Sequence, residues 1–171
     1  MRIVAAGIIE QDYTGRMMSS QSINTTLCYI RTDGKTLLLC RKSEDAMHGK
    51  WIPPGGKFEP GETPEECVVR EVYEETGLTL TEIRLRGILT FVRYADAQPV
   101  RTTTCFVFES FAFTGDARSS TEGEVCWVSD KDLPALDLPA SDHIFLPWIY
   151  EGSRFFSAKF SNGLRHVTFH G

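Results

Sequence analysis

Glutamate residues crowd one short segment of the sequence. Glu71, Glu74 and Glu75 have the i, i+3 and i+4 spacing that places side chains next to one another on one face of a helix. Neighbouring carboxylates repel one another, which destabilises a helix and raises their pKa values unless a cation lies among them. Grouped carboxylate oxygens are the ligands that Mg²⁺ and Mn²⁺ favour. The spacing therefore indicates a divalent-metal site in preference to a solvated helix face.

The flanking residues predict the helix that this acidic face requires. Thr63 is a suitable N-cap, Pro64 then falls at the first helical position, and Glu66 completes a capping box with Thr63. Gly77 is typical of the residue that follows a helix C-terminus. We therefore predict a helix over Thr63–Thr76. Its apolar side consists of Val68, Val69, Val72 and Tyr73.

The rest of the chain is dominated by strand and hairpin patterns. Asp33-Gly34 and Asn162-Gly163 each predict a tight hairpin turn between strands. The segments LRGILTFVRY and TTTCFVFESFAF predict long strands joined by a polar loop over Ala95–Arg101, and EVCWVS predicts a short strand. SDHIFLPWIY predicts a short helix capped by Ser141, in which Pro147 fits poorly. Hairpins without regular strand–helix alternation favour an α+β fold with a mixed sheet flanked by helices.

Length and composition indicate one globular domain. The chain has 171 residues, 42% hydrophobic content and a net charge of −5, and we place the domain at residues 23–171, after an N-terminal extension or extra strand at 1–22. The acidic balance argues against a nucleic-acid polymer as partner. No apolar run reaches the roughly 18 residues of a membrane span. Five scattered cysteines without a C-x-x-C pair are typical of free thiols. We expect a cytoplasmic protein and favour a monomer over a dimer.

A longer motif surrounds the acidic residues. Gly56 is followed after five residues by Glu62, and seven residues later by Arg70-Glu71-Val72-Tyr73-Glu74-Glu75-Thr76-Gly77-Leu78. This segment resembles the Nudix box, G-x5-E-x7-R-E-U-x-E-E-x-G-U with U apolar, and matches it at every defined position. Average residue frequencies make a chance match in this chain about 10⁻⁷. The resemblance implies the Nudix hydrolase superfamily, with its α/β/α sandwich around a mixed central sheet.

The resemblance also implies roles for individual residues. The metal-binding and catalytic carboxylates would be Glu71, Glu74 and Glu75. The backbone carbonyl of Gly55 would be a further metal ligand, Glu62 would support the loop, and Arg70 would orient a helix glutamate through an ion pair. Glu122, another metal-binding candidate, and the three helix glutamates are alternatives for the base that takes the proton from the attacking water.

Beyond the box, the chain resembles the MutT-type branch, which removes 8-oxo-dGTP, from about Thr26 to Phe169. GKWIPPGGKFEPGET enters the box as in that branch, and EGEVCWVS places Glu122 where the branch has an additional glutamate. LPASDHIFLPW resembles its C-terminal portion and aligns Asp142 with the acidic residue that binds the purine edge. Lys57 is a candidate to counter phosphate charge. The aromatic candidates for walls of the base pocket are Phe91, Phe145 and Trp127.

The expected activity is Mg²⁺-dependent hydrolysis of oxidised purine nucleoside triphosphates to the monophosphate and pyrophosphate, which removes damaged nucleotides before they enter DNA. Two departures from the branch keep other substrates open: Ile52–Pro53 replaces a loop that carries an Asn amide in some members, and Ser141 precedes Asp142 where some have two acids. One alternative is a Nudix pyrophosphatase for ADP-ribose, a dinucleotide or another triphosphate. Another is a regulatory nucleotide-binding module without turnover.

Overall fold

The computed structural model describes residues 21–42, 47–150 and 155–161, together with the backbone of 166–170. The strands are β1 Gln21–Thr32, β2 Lys35–Arg41, β3 Trp51–Ile52, β4 Thr79–Ala95, β5 Gln98–Thr114, β6 Gly123–Ser129, β7 Phe156–Ser161 and β8 His166–His170. The helices are α1 Pro64–Thr76 and α2 Asp142–Tyr150. The predicted turn at Asn162-Gly163 and most of the predicted extension lie outside the described residues. β1 already includes Gln21 and Ser22, which the sequence assigned to that extension.

The strands form a mixed sheet, as predicted. Its order is β3-β2-β1-β5-β4-β7-β8, and β6 pairs with β2 off this path. The β1–β5 and β4–β7 pairs are parallel, whereas the other pairs are antiparallel. The two parallel pairs bring β1 and β7 to the two sides of the long β4–β5 hairpin at the centre.

One predicted hairpin turn is confirmed and one predicted loop is wrong. Asp33 and Gly34 have φ of 48° and 70° and form the two-residue turn between β1 and β2. The predicted loop over Ala95–Arg101 is instead a two-residue turn at Asp96 and Ala97, with φ of 49° and 63°. The polar residues on either side continue the two strands because strand pairing uses backbone groups and does not require apolar side chains in an exposed hairpin.

The two helices pack on opposite faces of the sheet, which gives three layers. Side chains alternate along β1, as in any strand. Cys28 and Ile30 pack in one buried cluster with Val68 of α1, while Tyr29 packs in the other with Phe145 of α2. The sandwich implied by the sequence is therefore the observed architecture. No helix within the described residues is long and apolar enough to cross a membrane.

The ends of α1 follow the sequence signals. The Glu66 amide donates to Thr63 Oγ1 at 3.2 Å, and the Thr63 amide donates to Glu66 Oε2 at 2.8 Å. Gly77 has φ of 75° and donates its amide to the Tyr73 carbonyl at 2.8 Å. Pro147 lies inside α2, where it removes one amide donor from the helix. All five cysteines are free.

Candidate active site

One cavity contains most of the candidate residues. It has a volume of about 660 Å³ and lies among β1, the loop after β3, α1, the loop before β6 and the start of α2. The predicted site residues that line it are Gly55, Lys57, Glu71, Glu74, Glu75, Phe91, Glu122 and Asp142. Four other candidates from the sequence are not among its lining residues: Glu62, Arg70, Trp127 and Phe145.

The loop before α1 lies directly against β1. The Cys28 amide donates to the Pro54 carbonyl and the Thr26 amide to the Gly56 carbonyl, both at 2.8 Å. Gly55 lies between these two contacts with φ of 147°, and a Cβ there would overlap the Thr26 carbonyl. Only glycine therefore allows the loop to reach this position.

Gly56 serves a different purpose from Gly55. A Cβ at Gly56 would overlap the carboxylate of Glu71. The missing side chain thus leaves the space into which that carboxylate fits, directly against the loop backbone. The first glycine of the box therefore sets how closely the acidic face of α1 approaches the loop.

Glu75 is the most buried of the four cavity glutamates, with 5% exposure. The Gly55 amide donates to its Oε2 at 2.8 Å. Burial raises the pKa of Glu75 to about 7, and the charges of Glu71 and Glu122 act in the same direction, while the nearby Arg41 opposes them. The carboxylates are therefore close enough to one another to make full ionisation unfavourable.

Arg70 connects the loop to the acidic face without lining the cavity. Its Nε and Nη2 donate to the two carboxylate oxygens of Glu62 at 2.6 and 2.9 Å, which lowers the pKa of Glu62 to about 2. Its Nη1 contacts Glu71 at 3.0 Å and Glu74 at 3.2 Å, and Nη2 donates to the Lys57 carbonyl at 3.0 Å. Arg70 thus contacts two of the predicted metal ligands, in the position that its predicted orienting role requires.

The carboxylates have the chemistry that a divalent cation requires, although in this structure their oxygens do not surround a common point. Among residues 21–42, 47–150 and 155–161, no three acidic, histidine or cysteine side chains are arranged around one point. Arg70 holds Glu71 and Glu74, and the Gly55 amide holds Glu75. Four carboxylates nevertheless line one cavity, and the pKa of Glu75 is raised by burial first and by the charges of Glu71 and Glu122 in addition, both of which a cation would offset. The donor set therefore suits a divalent cation that prefers oxygen ligands.

Asp142 is a second buried carboxyl group in the same cavity. It is 4% exposed, and burial raises its pKa to about 7. Ser141 Oγ donates to its Oδ1 at 3.0 Å. The buried Tyr29 hydroxyl lies near Asp142 and partly offsets the rise in its pKa. Phe91, stacked on Phe160 with ring centroids 5.2 Å apart, also lines the cavity.

The structure corrects two aromatic predictions. Phe145 is 0% exposed and packs in the core, edge-on to Tyr29 and stacked on Phe156 at 6.3 Å. Trp127 stacks on Phe113 at 5.5 Å and packs in the cluster on the α1 side of the sheet. Neither ring lines the cavity. Neither side chain is therefore placed to contact a base in this cavity.

Arg41 is a cavity residue that the sequence analysis missed. It is the last residue of β2 and lines the cavity near Glu75. The strand pattern gave no signal for it, because β2 is buried on both faces: Leu37, Leu38 and Leu39 are all at most 1% exposed. Its place beside Glu75 follows from how the strand end packs against α1, which the sequence pattern does not show.

The comparisons with known proteins agree with this fold. The NUDIX domain model matches residues 22–149. The chain is 32% identical over 145 residues to the "Uncharacterized Nudix hydrolase YvcI" of Bacillus subtilis (strain 168), covering 84% of each protein. It is 49% identical over 116 residues to the 8-oxo-dGTP diphosphatase of Escherichia coli (strain K12), covering 66% of this chain and 84% of that one.

A solved structure extends the agreement to most of the chain. The crystal structure of a MutT protein from Bacillus halodurans superimposes with a TM-score of 0.74 at 25% identity, over 86% of this chain and 97% of that chain. The fold and site thus define a Nudix hydrolase. The chain belongs to the Nudix family, and MutT proteins are among its relatives.

Proposed function

We propose that this protein hydrolyses purine nucleoside triphosphates, with oxidised purines such as 8-oxo-dGTP as preferred substrates. The products are the nucleoside monophosphate and pyrophosphate, and the divalent ion is Mg²⁺ or Mn²⁺. The observation that carries the proposal is one cavity with two kinds of carboxyl group. Four glutamates from α1 and the loop before β6 suit a metal and a phosphate chain, and Asp142 suits a base.

At the acidic end, the residues of the box supply the ligands. Glu71, Glu74, Glu75 and Glu122 would hold the cation, together with the carbonyl of Gly55. When bound, the cation neutralises phosphate charge and favours in-line attack by water. The water oxygen bonds to phosphorus, the bridging P–O bond breaks, and a carboxylate of this group takes the proton. Lys57, exposed at the rim of the cavity, adds positive charge for the phosphate chain.

At the other end, Asp142 distinguishes an oxidised guanine by hydrogen bonding. The edge of 8-oxoguanine presents O6 as an acceptor and N7–H as a donor, whereas guanine presents two acceptors there. A protonated carboxyl donates one hydrogen bond and accepts another. It therefore pairs fully with the oxidised base and only partly with guanine. Burial, which raises the pKa of Asp142 to about 7, keeps a large protonated fraction at neutral pH.

The names of relatives support the same substrate class. The Escherichia coli relative is an 8-oxo-dGTP diphosphatase, and a Danio rerio relative, 28% identical over 130 residues, is an "Oxidized purine nucleoside triphosphate hydrolase". By this proposal the protein works in the cytoplasm and removes oxidised nucleotides before a polymerase incorporates them into DNA.

A substrate panel tests the proposal. We expect kcat/KM for 8-oxo-dGTP to exceed that for dGTP by about tenfold or more, the effect of one additional hydrogen bond to a buried group. dATP and ADP-ribose complete the panel, with MgCl2 or MnCl2 present. Mass spectrometry of products formed in ¹⁸O-labelled water shows whether the α- or β-phosphorus is attacked. Faster cleavage of dGTP or ADP-ribose than of 8-oxo-dGTP would overturn the substrate assignment.

A further inference from the structure

Residues 115–122 form the loop before β6, and this loop is attached to the C-terminal end of α1. The Arg118 amide donates to the Thr76 carbonyl at 2.8 Å. The Arg118 side chain lies across Gly77, where its Nε, Cγ and Cδ fill the space that a Cβ would need. The last glycine of the box therefore does more than end the helix, since it also leaves room for this arginine.

Arg118 supplies a positive charge that α1 itself lacks at this end. The last turn of α1 contains no basic residue, although it contains Glu74 and Glu75. The carbonyls at a helix C-terminus carry partial negative charge, so acidic side chains there are unfavourable and a cation is favourable. The contact between Arg118 and the end of α1 therefore has an electrostatic cause as well as a steric one.

The second half of the loop is folded around two serine hydroxyls. Ser120 Oγ accepts from the Glu122 amide at 3.2 Å, and the Ser120 amide donates to the Gly123 carbonyl at 3.2 Å. Ser119 Oγ accepts from the Val125 amide at 3.1 Å. Serine hydroxyls that accept from backbone amides a few residues ahead stabilise tight turns. The loop is therefore hydrogen-bonded within itself on both sides of Glu122.

The end of β2 holds the other side of Glu122. The Lys42 amide donates to the Glu122 carbonyl at 2.9 Å. A Cβ at Gly123 would overlap the Cys40 carbonyl, so glycine allows β6 to begin this close to β2. Backbone contacts from α1 and β2 together fix the place from which the Glu122 side chain lines the cavity.

We propose that Arg118 and Ser120 are positioning residues that hold Glu122 at the acidic end of the cavity. Arg118 joins the loop to α1, which carries the other three cavity glutamates, and Ser120 fixes the backbone amide of Glu122. Without these contacts the Glu122 carboxylate would move away from the other three, and a bound cation would lose one ligand. This inference rests on the proposed function for the role of Glu122, while the contacts themselves follow from the geometry.

Substitutions in two backgrounds test whether both residues act through Glu122. We expect Ser120→Ala and Arg118→Met each to lower kcat/KM for the triphosphate by about tenfold, as for residues that orient a metal ligand. In a Glu122→Gln background the same substitutions should change kcat/KM by less than about twofold, because the carboxylate that they position is already absent. Ser120→Thr restores the hydroxyl and should recover most of the activity that Ser120→Ala loses.

Metal binding gives a readout that does not depend on turnover. Titration of the nucleotide-free protein with Mn²⁺, followed by electron paramagnetic resonance of the free ion, should show affinity lowered about tenfold in Ser120→Ala and in Arg118→Met. Neither substitution should lower the affinity further in Glu122→Gln. The matched control is Arg93→Met, because Arg93 is exposed on β4 and is not among the lining residues of the cavity. Its Mn²⁺ affinity and kcat/KM should equal those of wild type.

The outcomes distinguish this inference from the proposed function. Equal losses in the wild-type and Glu122→Gln backgrounds would show that Arg118 and Ser120 support the fold without acting through Glu122, and would overturn the inference alone. Undiminished kcat/KM and Mn²⁺ affinity in both variants would do the same. A wild type inactive on every triphosphate would overturn the proposed function, and the Mn²⁺ titrations would still decide the positioning role. Thermal unfolding establishes that each variant is folded, and Arg118→Met decides the question if Ser120→Ala is not.

Discussion

Two buried carboxyl groups, Glu75 and Asp142, lie in one cavity and share one physical property. They are 5% and 4% exposed, and burial raises the pKa of each to about 7. A carboxyl group with such a pKa is partly protonated at neutral pH. Burial alone therefore does not determine what either group does, and the difference must come from its neighbours.

The neighbours of the two groups differ in charge. Glu75 lies close to the carboxylates of Glu71 and Glu122, whose charges oppose its ionisation. The carboxyl group at the start of α2 instead has the hydroxyls of Ser141 and Tyr29 nearby. A divalent cation would therefore favour ionisation of the first group and leave the second nearly unaffected. One arrangement suits a metal ligand, and the other a carboxyl group that donates and accepts hydrogen bonds.

Removing the charge of Glu75 should have the largest effect. Glu75→Gln keeps an acceptor for the Gly55 amide but loses a negative ligand for the cation. We expect kcat/KM for the triphosphate to fall by about 10³-fold, as for weakened metal-assisted charge stabilisation. Steady-state kinetics of Glu75→Gln and wild type in the presence of Mg²⁺ measure this loss of kcat/KM.

The control for this prediction is Glu65→Gln. Glu65 lies in the first turn of α1 and is exposed, away from the cavity. Its kinetics should match wild type. If Glu75→Gln kept more than about a tenth of the wild-type activity, Glu75 would not be an essential metal ligand. The assignment of different roles to Glu75 and Asp142 would then fail.

Substitution of Asp142 should change base recognition by a smaller amount. Asp142→Ala removes both hydrogen bonds to the oxidised base and only one to guanine. We expect kcat/KM for 8-oxo-dGTP to fall by about 10–10²-fold and that for dGTP to fall less. Equal losses for the two nucleotides would mean that Asp142 does not read the oxidised edge.

Asp142→Asn tests the protonation state directly, because an amide donates and accepts as a protonated carboxyl does. As pH rises through about 7, the pKa of Asp142, wild type loses its donor. Its 8-oxo-dGTP activity relative to that of Asp142→Asn should then decline, as measured by paired pH profiles. A constant ratio across this range would show that protonation of Asp142 has no part in binding.

The sequence predicts the first of these two regions far better than the second. The acidic face depends on residues within one turn of each other, and Thr63 and Gly77 fix where that helix begins and ends. Local spacing therefore contains almost all the information about which side chains are neighbours. Only the close approach of the loop to β1, enforced at Gly55, depends on distant residues.

The second region depends on how distant elements pack. α2 is apolar on most sides, so the pattern does not indicate that Asp142 lines the cavity while Phe145 is in the core. Tyr29 belongs to a buried run of β1, and its sequence neighbours do not indicate the carboxyl group near it. Resemblance to a family identified Asp142, whereas the physical pattern of the chain alone did not.

Stability provides the finest distinction between the two carboxyl groups. For each, the pKa in the folded protein exceeds that in the unfolded chain, so stability is lost as pH rises from about 4 through about 7. Above that range, replacing either acid by its amide should stabilise the metal-free protein. We expect about 1–2 kcal/mol, which is less than the full pKa shift would give.

Adding MgCl2 at about pH 8 should remove the stability advantage of Glu75→Gln, because the cation favours the ionised wild type. The advantage of Asp142→Asn should persist. Denaturant unfolding with and without MgCl2 measures both, and a Mg²⁺ response of the same size in the two variants would show that the cation does not bind preferentially at Glu75.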